Sequence, residues 1–549
     1  MKKLPFTFRN IGIFLILLLG NIFTTIAQDN GIILGRPTDT SITASVMFRN
    51  VSEYYLEYGT QSGIYTANTA TYTSVADVPD EIDLRNLTPD TRYYYRMRYR
   101  LVGAPSFSST NEFNFTTQRP PGSRYCFTIE TDEHLYDKKG ILSMYNVTLA
   151  NQAKDKPDFM FSLGDIFGDD HTATTISDYE LDTLHRYYRP ILGQICHSIP
   201  FFIGLGNHEG EKKYWFTRPA PARNMGVPAT IARKKYYPNP FPNTFYTGNT
   251  TAEGNGMGLP ENYYAFTWGD ALYVVLDVYR DNTITTDAEK PQNWNWTLGL
   301  TQYLWLKNTL QNSHAKFKFV FCHHTRAELR GGALTAIQNE WGGYSSATGL
   351  VGGNYQFDVE RPAAQGWTKP IHQLFRDYGV NIFFQGHDHT FAHEVLDSIT
   401  YQSLPMPSDS TYNIWQANAS AYLTDVYGGT GHVRVTVTPG YTKVDYVQAY
   451  LPADTLSGLN HNGQVPFYYY IRAKDSYTFI GNGNWSDANN WVEKTIPPAN
   501  LPAGYTIYIE PVDGGECVLN VTQNILTGAK IEINSNKKFV VPGTLNIQQ

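Results

Sequence analysis

Phe201-Phe-Ile-Gly-Leu205 runs directly into Gly206-Asn207-His208-Glu209, an apolar strand-like stretch that ends on metal-binding side chains. The same passage recurs along the chain. Tyr125–Glu130 leads into Asp132-Glu133-His134, and Asp158–Leu163 into Gly164-Asp165. Phe317–Cys322 leads into His323-His324, and Val380–Gln385 into Gly386-His387-Asp388-His389. One histidine after a strand is usually structural, whereas an ordered set of Asp, His and Asn at five strand ends is hard to produce by chance. In α/β sheets, sites form outside the carboxyl ends of the strands, so all five segments can converge on one edge of a fold. Carboxylate, imidazole and amide oxygen suit borderline divalent or trivalent metals.

Around these segments, residues 121–450 alternate strand-like runs with helical patterns, which makes an α/β unit. A further strand is expected at Leu272–Asp277. Helices are expected at Leu300–Leu310, where apolar residues recur at helical spacing, and at Pro370–Tyr378, with proline at its start. Residues 211–260 lack clear periodicity and are expected to form a long loop, a candidate lid following Glu209. Residues 28–120 read as a β-sandwich: short strand-like runs such as Ala44–Phe48 and Tyr54–Tyr58 are split by turn residues. The stretch Leu87-Thr-Pro-Asp-Thr-Arg-Tyr-Tyr-Tyr-Arg96 is similar to the corner of a fibronectin type III sandwich, where a tyrosine bonds back to the turn backbone. Residues 451–475 read as a linker, and residues 476–549 as a small all-β module, with Trp485 and Trp491 ahead of short strands that suit the rungs of a solenoid. The expected fold class is thus multidomain: N-terminal β-sandwich, central α/β sandwich, C-terminal all-β module.

Length and charge bound the function. At 549 residues the chain is too long for one core. Lys2, Lys3 and Arg9 precede the short apolar stretch Ile11–Gly20 and the small-residue end Thr25-Ile26-Ala27, the pattern of a signal peptide over residues 1–27. Its removal takes three positive charges and no acid, moving the net charge from −7 to −10. An acidic chain is a poor non-specific nucleic-acid binder, so no specific nucleic-acid binding is expected. No later segment is long and apolar enough to cross a bilayer, so a secreted, periplasmic or cell-surface location is expected. Export permits disulfides among Cys126, Cys196, Cys322 and Cys517, but Cys126 and Cys322 sit inside apolar runs and read as small buried residues.

The set Asp-Xaa-His, Gly-Asp, Gly-Asn-His-Glu, His and Gly-His-Xaa-His resembles the calcineurin-like metallophosphoesterase superfamily. With a fibronectin-like module ahead of it, the arrangement is similar to purple acid phosphatases and their bacterial relatives. The resemblance implies two metal ions. Asp132, His134 and His389 would bind the first, Asn207, His323 and His387 the second, and Asp165 would bridge them, its two oxygens allowing it to span both. Two metals about 3.5–4 Å apart can hold a hydroxide nucleophile for in-line attack and the phosphate oxygens. His208 would act as general acid toward the leaving alkoxide, with Glu209 orienting its ring. Asp388 is expected outside the ligand set or facing solvent. Asp169, Asp170 and His171 read as a solvated loop, and Arg326 as a possible phosphate contact.

Two positions depart from the purple-enzyme pattern. His134 stands where those enzymes have Gly, and Gly168 where they have the tyrosinate ligand. The metals could be Fe, Mn, Zn or Ni. The function implied is an exported hydrolase of small phosphate esters, with monoesters favoured. A phosphodiesterase or nucleotidase would use the same centre, and the shape of residues 211–260 and 325–365 discriminates between them. A non-catalytic adhesion or polysaccharide-binding protein is the reading from another class, and the C-terminal module could bind a cell surface or polysaccharide in either case.

Overall fold

The computed structural model describes residues 31–168, 177–216, 225–281, 298–324, 331–336, 341, 344–345, 356–357, 366–414 and 425–548. Residues 1–27, Asp169, Asp170, His171, Arg326 and most of 325–365 lie outside them.

Two sheets packed face to face form the centre. In the first, Tyr125–Glu130 pairs in parallel with Phe159–Ser162, which pairs in parallel with Phe201–Ile203. On its other side lie the antiparallel strands Thr430–Val437, Tyr441–Ala449 and Phe467–Arg472. In the second, Ala271–Val275, Phe317–Phe321 and Ile382–Gln385 run parallel within eight strands. The near-continuous apolar runs of the sequence are the strands buried on both faces. Between the sheets lies an aromatic core that includes Phe127, Phe159, Phe161, Phe202, Phe266, Tyr273, Phe319 and Phe321. Phe161 of the first sheet stacks on Phe321 of the second with ring centroids 4.4 Å apart.

Helices cover the outer faces. Leu142–Asp155 and Asp178–Cys196 pack on the first sheet through Tyr145, Leu149, Tyr188 and Leu192. Gly299–Asn312 and Ile371–Asp377 pack on the second through Tyr303, Leu306, Leu374 and Phe375. A capping box starts Asp178–Cys196: the Ser177 hydroxyl accepts from Glu180 N, and the Glu180 carboxylate accepts from Ser177 N.

The stretch read as a loop over 211–260 is partly helical and tied down. Helix Gly226–Tyr236 inserts Arg233 beside Glu211, with Nε donating to Oε1 at 2.6 Å, and Arg280 donates to Glu211 Oε2 at 2.5 Å. These buried ion pairs anchor the described part of the segment and exclude a free lid there. Residues 451–475, read as a linker, contain Phe467–Arg472, the edge strand of the first sheet. No disulfide links the four cysteines; Cys196, Cys322 and Cys517 are buried and Cys126 partly so.

The N-terminal sandwich has its own core, including Leu34, Ile42, Leu56, Ile82, Tyr95 and Phe115. Thr88 N donates to the Tyr93 hydroxyl at 2.9 Å, the corner bond expected of the Tyr-rich strand. The sandwich also docks on the central unit: Ile33 and Met47 join the cluster around Tyr188 and Leu192. Fully buried Arg189 reaches across, donating to Gly31 O (2.7 Å), Ser45 O (2.9 Å), Ser45 Oγ (3.0 Å) and Tyr236 O. The C-terminal strands form three parallel three-stranded sheets, the faces of a solenoid whose successive coils each give one strand to each sheet, around Trp485, Trp491, Ile507 and Leu519. An exposed asparagine ladder runs along one face: Asn546 Nδ2 donates to Asn524 Oδ1 at 2.7 Å, and Asn524 Nδ2 to Asn500 Oδ1 at 2.6 Å. Lys316 Nζ, 3.4 Å from Tyr508 Oη, and an Arg124–Glu510 ion pair join the solenoid to the central unit.

Arg189→Met leaves the three buried carbonyls without this donor. Hydrogen bonds to charged groups contribute roughly 1.5–3 kcal/mol each, so a loss of about 3 kcal/mol is expected, checked by guanidinium unfolding. A loss under about 0.5 kcal/mol would show that the interface does not depend on this residue.

Candidate metal centre

At the carboxyl ends of the parallel strands, backbone and side chains are unusually constrained. Asp132, His134, Asp165, His387 and His389 all have left-handed backbone, with φ between 47° and 67°. Such conformations are uncommon for non-glycine residues and cluster at functional sites, at about 1–3 kcal/mol each. Each turn throws its side chain back over the edge of the sandwich.

Two groups of donors result. Ligand atoms of Asp132, His134 and His389 lie within 4.8 Å of one another, as do those of Asp165, His323 and His387. Asn207 joins the second group, with Oδ1 3.1 Å from His323 Nε2 and 2.9 Å from His387 Nδ1. The groups meet at Asp165, whose Oδ2 is 3.2 Å from His323 Nε2 and 3.8 Å from His134 Nε2. All seven residues are buried; His208 is half-buried at the mouth, its ring 5.9 Å from that of His134.

Each carboxylate turns one oxygen to the protein and one to the cluster. Asp132 Oδ2 accepts from Thr131 Oγ1 (2.8 Å) and His387 N (2.7 Å), while Oδ1 faces His389 Nε2 at 3.3 Å. Asp165 Oδ1 accepts from His208 N at 2.8 Å. A single oxygen, Oδ2, therefore faces both groups. His323 Nδ1–H donates to Leu163 O at 2.8 Å, which leaves the Nε2 lone pair to the site.

The electrostatics favour a cation. Burial pulls the His323 pKa down, but the Asp165 and Asp132 carboxylates outweigh it and carry it up to about 9. Burial pushes Asp165 and Asp132 up, but His323, with His208 beside Asp165 and His389 beside Asp132, holds both below the usual carboxylate range. The donors fit a metal by chemistry as well: Asp132 Oδ1 and His134 Nε2 are buried, make no protein hydrogen bond and face each other at 3.6 Å.

Residues 130–391 match the family model described as Calcineurin-like phosphoesterase. The chain holds a calcineurin-like phosphoesterase domain. It is a metal-dependent phosphoesterase, and the family implies a dinuclear centre at the two clusters. Among solved structures, that of PhoD is 16% identical over 80% of this chain and 91% of its own, with a TM-score of 0.57, a likeness of fold. That of GAP50, the anchor in the inner membrane complex of Plasmodium, is 14% identical over 64% of this chain and 89% of its own, with a TM-score of 0.33, too slight an overlap to bear on this chain. No curated protein matches the chain.

Several residues of the phosphoesterase site differ from their reading in the sequence. Glu209 does not serve chiefly to orient His208: its carboxylate accepts from Asp165 N (2.9 Å), Ile166 N (2.8 Å) and Gly206 N (2.6 Å), tying two strand-end turns together. Burial, then the Asp165 charge, push its pKa up to about 7. Of the two places expected for Asp388 the solvent-facing one is excluded, since it is buried: Oδ2 accepts from Gly331 N at 2.9 Å and Oδ1 lies 3.9 Å from His324 Nε2. Tyr136 and Asp137, which sequence reasoning passed over, both contact His134. Tyr237 stacks on Phe167 (4.7 Å between centroids) and Tyr236 on His185 (5.4 Å), among the core residues beneath the helices.

Gly206 is required where it stands. A Cβ there would lie 2.3 Å from Asp165 Oδ1 and 2.5 Å from Asp165 N. Gly206→Ala is expected to push Asp165 from between the clusters and lower bound metal below the wild-type content. Elemental analysis checks this, and wild-type content in the folded variant would refute it.

Proposed function

We propose that the protein is an exported phosphomonoesterase in which Asp132, His134 and His389 hold one metal, Asn207, His323 and His387 a second, and Asp165 bridges them. The observation that carries the reading is the meeting of two buried donor groups at Asp165 Oδ2, each containing a carboxylate and imidazoles. When bound, a metal pair supplies a water of lowered pKa and positive charge for the phosphate oxygens. The chain's own residues do the rest. The turns of left-handed backbone fix the donors before substrate arrives, so little reorganisation remains for the reaction. His208, anchored by its backbone N–H on Asp165 and half-exposed at the mouth, gives a proton to the leaving alkoxide.

Export is supported by the charged, apolar and small-residue sequence of residues 1–27. Among the described residues, no helix is long and apolar enough to cross a membrane. The solenoid's exposed polar face supports a surface- or polysaccharide-binding role for the C-terminal module. The N-terminal sandwich is read as fibronectin type III-like on its corner tyrosine.

Elemental analysis of metal-loaded protein should approach two metals per chain, and one tight metal without a second would remove the bridging role of Asp165. A hydrolysis screen across phosphomonoesters, phosphodiesters and nucleotides tests the substrate class, and faster turnover of a diester would select the other reading. His208→Ala should keep both metals and slow an alkyl phosphate by about 10²–10⁴-fold. An aryl phosphate should suffer less, because its leaving group needs little protonation. An unchanged rate on the alkyl ester would assign the proton donor elsewhere.

A further inference from the structure

Tyr136 follows His134 by two residues and turns back onto it. Its hydroxyl oxygen lies 2.8 Å from His134 Nδ1, and Asp137 Oδ2 lies 3.2 Å from the same nitrogen. Lys139 Nζ holds that Asp137 oxygen at 2.9 Å. An ionised carboxylate only accepts, so Nδ1 carries the ring proton and Nε2 presents its lone pair. That Nε2 faces Asp132 Oδ1 at 3.6 Å and Asp165 Oδ2 at 3.8 Å.

The Tyr136 ring has room only because residue 168 is glycine. A Cβ at Gly168 would lie 2.3 Å from both Cγ and Cδ2 of the ring. The tyrosine therefore occupies the space over the turn that follows Asp165, beside both His134 (5.1 Å between ring centroids) and the half-buried His208 (6.0 Å). His134 also has left-handed backbone, at φ 47°. Its ring thus leaves the chain from a strained residue, and the contacts at Nδ1 determine where Nε2 points.

We propose that Tyr136, seated over Gly168, is a positioning residue that, with Asp137, holds His134 by Nδ1 and so aims Nε2 into the Asp132–His389 cluster. The proposal rests on the reading of His134 as a metal donor. Outer partners of a metal-binding histidine fix its tautomer and ring orientation, and their loss typically costs about 10–100-fold in metal affinity. Tyr136→Phe keeps the ring over Gly168 and removes only the oxygen. Gly168→Ala keeps the oxygen and drives a Cβ into the ring.

The test is Zn²⁺ binding to the full chain, measured by chelator competition, alongside the melting temperature of the metal-free protein. Tyr136→Phe should weaken one of the two binding events by about 10–100-fold and leave the other, and the metal-free melting temperature, unchanged. Gly168→Ala should weaken the same event. His134→Ala separates the two levels of the argument. If it leaves both Zn²⁺ events intact, the donor assignment of His134 fails. If it abolishes one while Tyr136→Phe binds as wild type does, the positioning role alone fails. Iron loading gives a second readout. The wild type should show no intense visible phenolate band, and a band that Tyr136→Phe removes would make Tyr136 a ligand itself and overturn the proposal.

Discussion

The aromatic filling between the two sheets is the constraint on which the site depends. Sheets packed face to face sit about 10 Å apart, and here the distance is set by rings such as Phe161 on Phe321. Asp132, Asp165 and Asn207 follow strands of the first sheet, and His323, His387 and His389 follow strands of the second. Neither sheet alone holds either donor group: Asp132 and His134 need His389 from across the core, and Asp165 and Asn207 need His323 and His387. A change in ring volume between the sheets would act on the donors as directly as a change among the donors themselves.

Strain and its compensation are visible at the same edge. Five donors adopt left-handed backbone, a cost of several kcal/mol if each carries even the low end of the usual penalty. The compensation is local and polar. Glu209 gathers three backbone N–H groups, Asp132 Oδ2 collects the His387 amide, and Asp165 Oδ1 collects that of His208. Side chains from one turn thus satisfy the backbone of another, so the turns hold one another in place.

The residues that meet at this edge were legible in the sequence as a set because each follows an apolar run, and such a run ends where the backbone leaves the sheet. The strands at Tyr125–Glu130 and Phe317–Phe321 were legible for the same reason. Helix Leu142–Asp155 was not, because its buried face includes Thr148, Asn151 and Gln152, polar residues that blur a 3.6-residue period. Helix Gly226–Tyr236 buries Gly226, Ala229, Thr230 and Arg233, so it shows no apolar stripe to read. Phe467–Arg472 carried strong strand-forming residues, but an edge position after a turn-rich stretch made it look like part of a linker. Glu209 and Tyr136 act through space on backbone and ring nitrogens, and no spacing rule encodes such contacts.

The order in which the donors arrive along the chain bears on when the site can exist. Asp132 comes early in the central unit and His389 late, and Thr430–Val437, which pairs with the Asp132 strand, comes later still. Contacts this distant in sequence form late, because closing long loops costs entropy before any contact repays it. A nascent or partly folded chain therefore offers scattered histidines and carboxylates but no cluster. Either complete donor group exists only where both sheets are packed together, so a metal that needs the full set is matched to the closed sandwich and not to its separate halves.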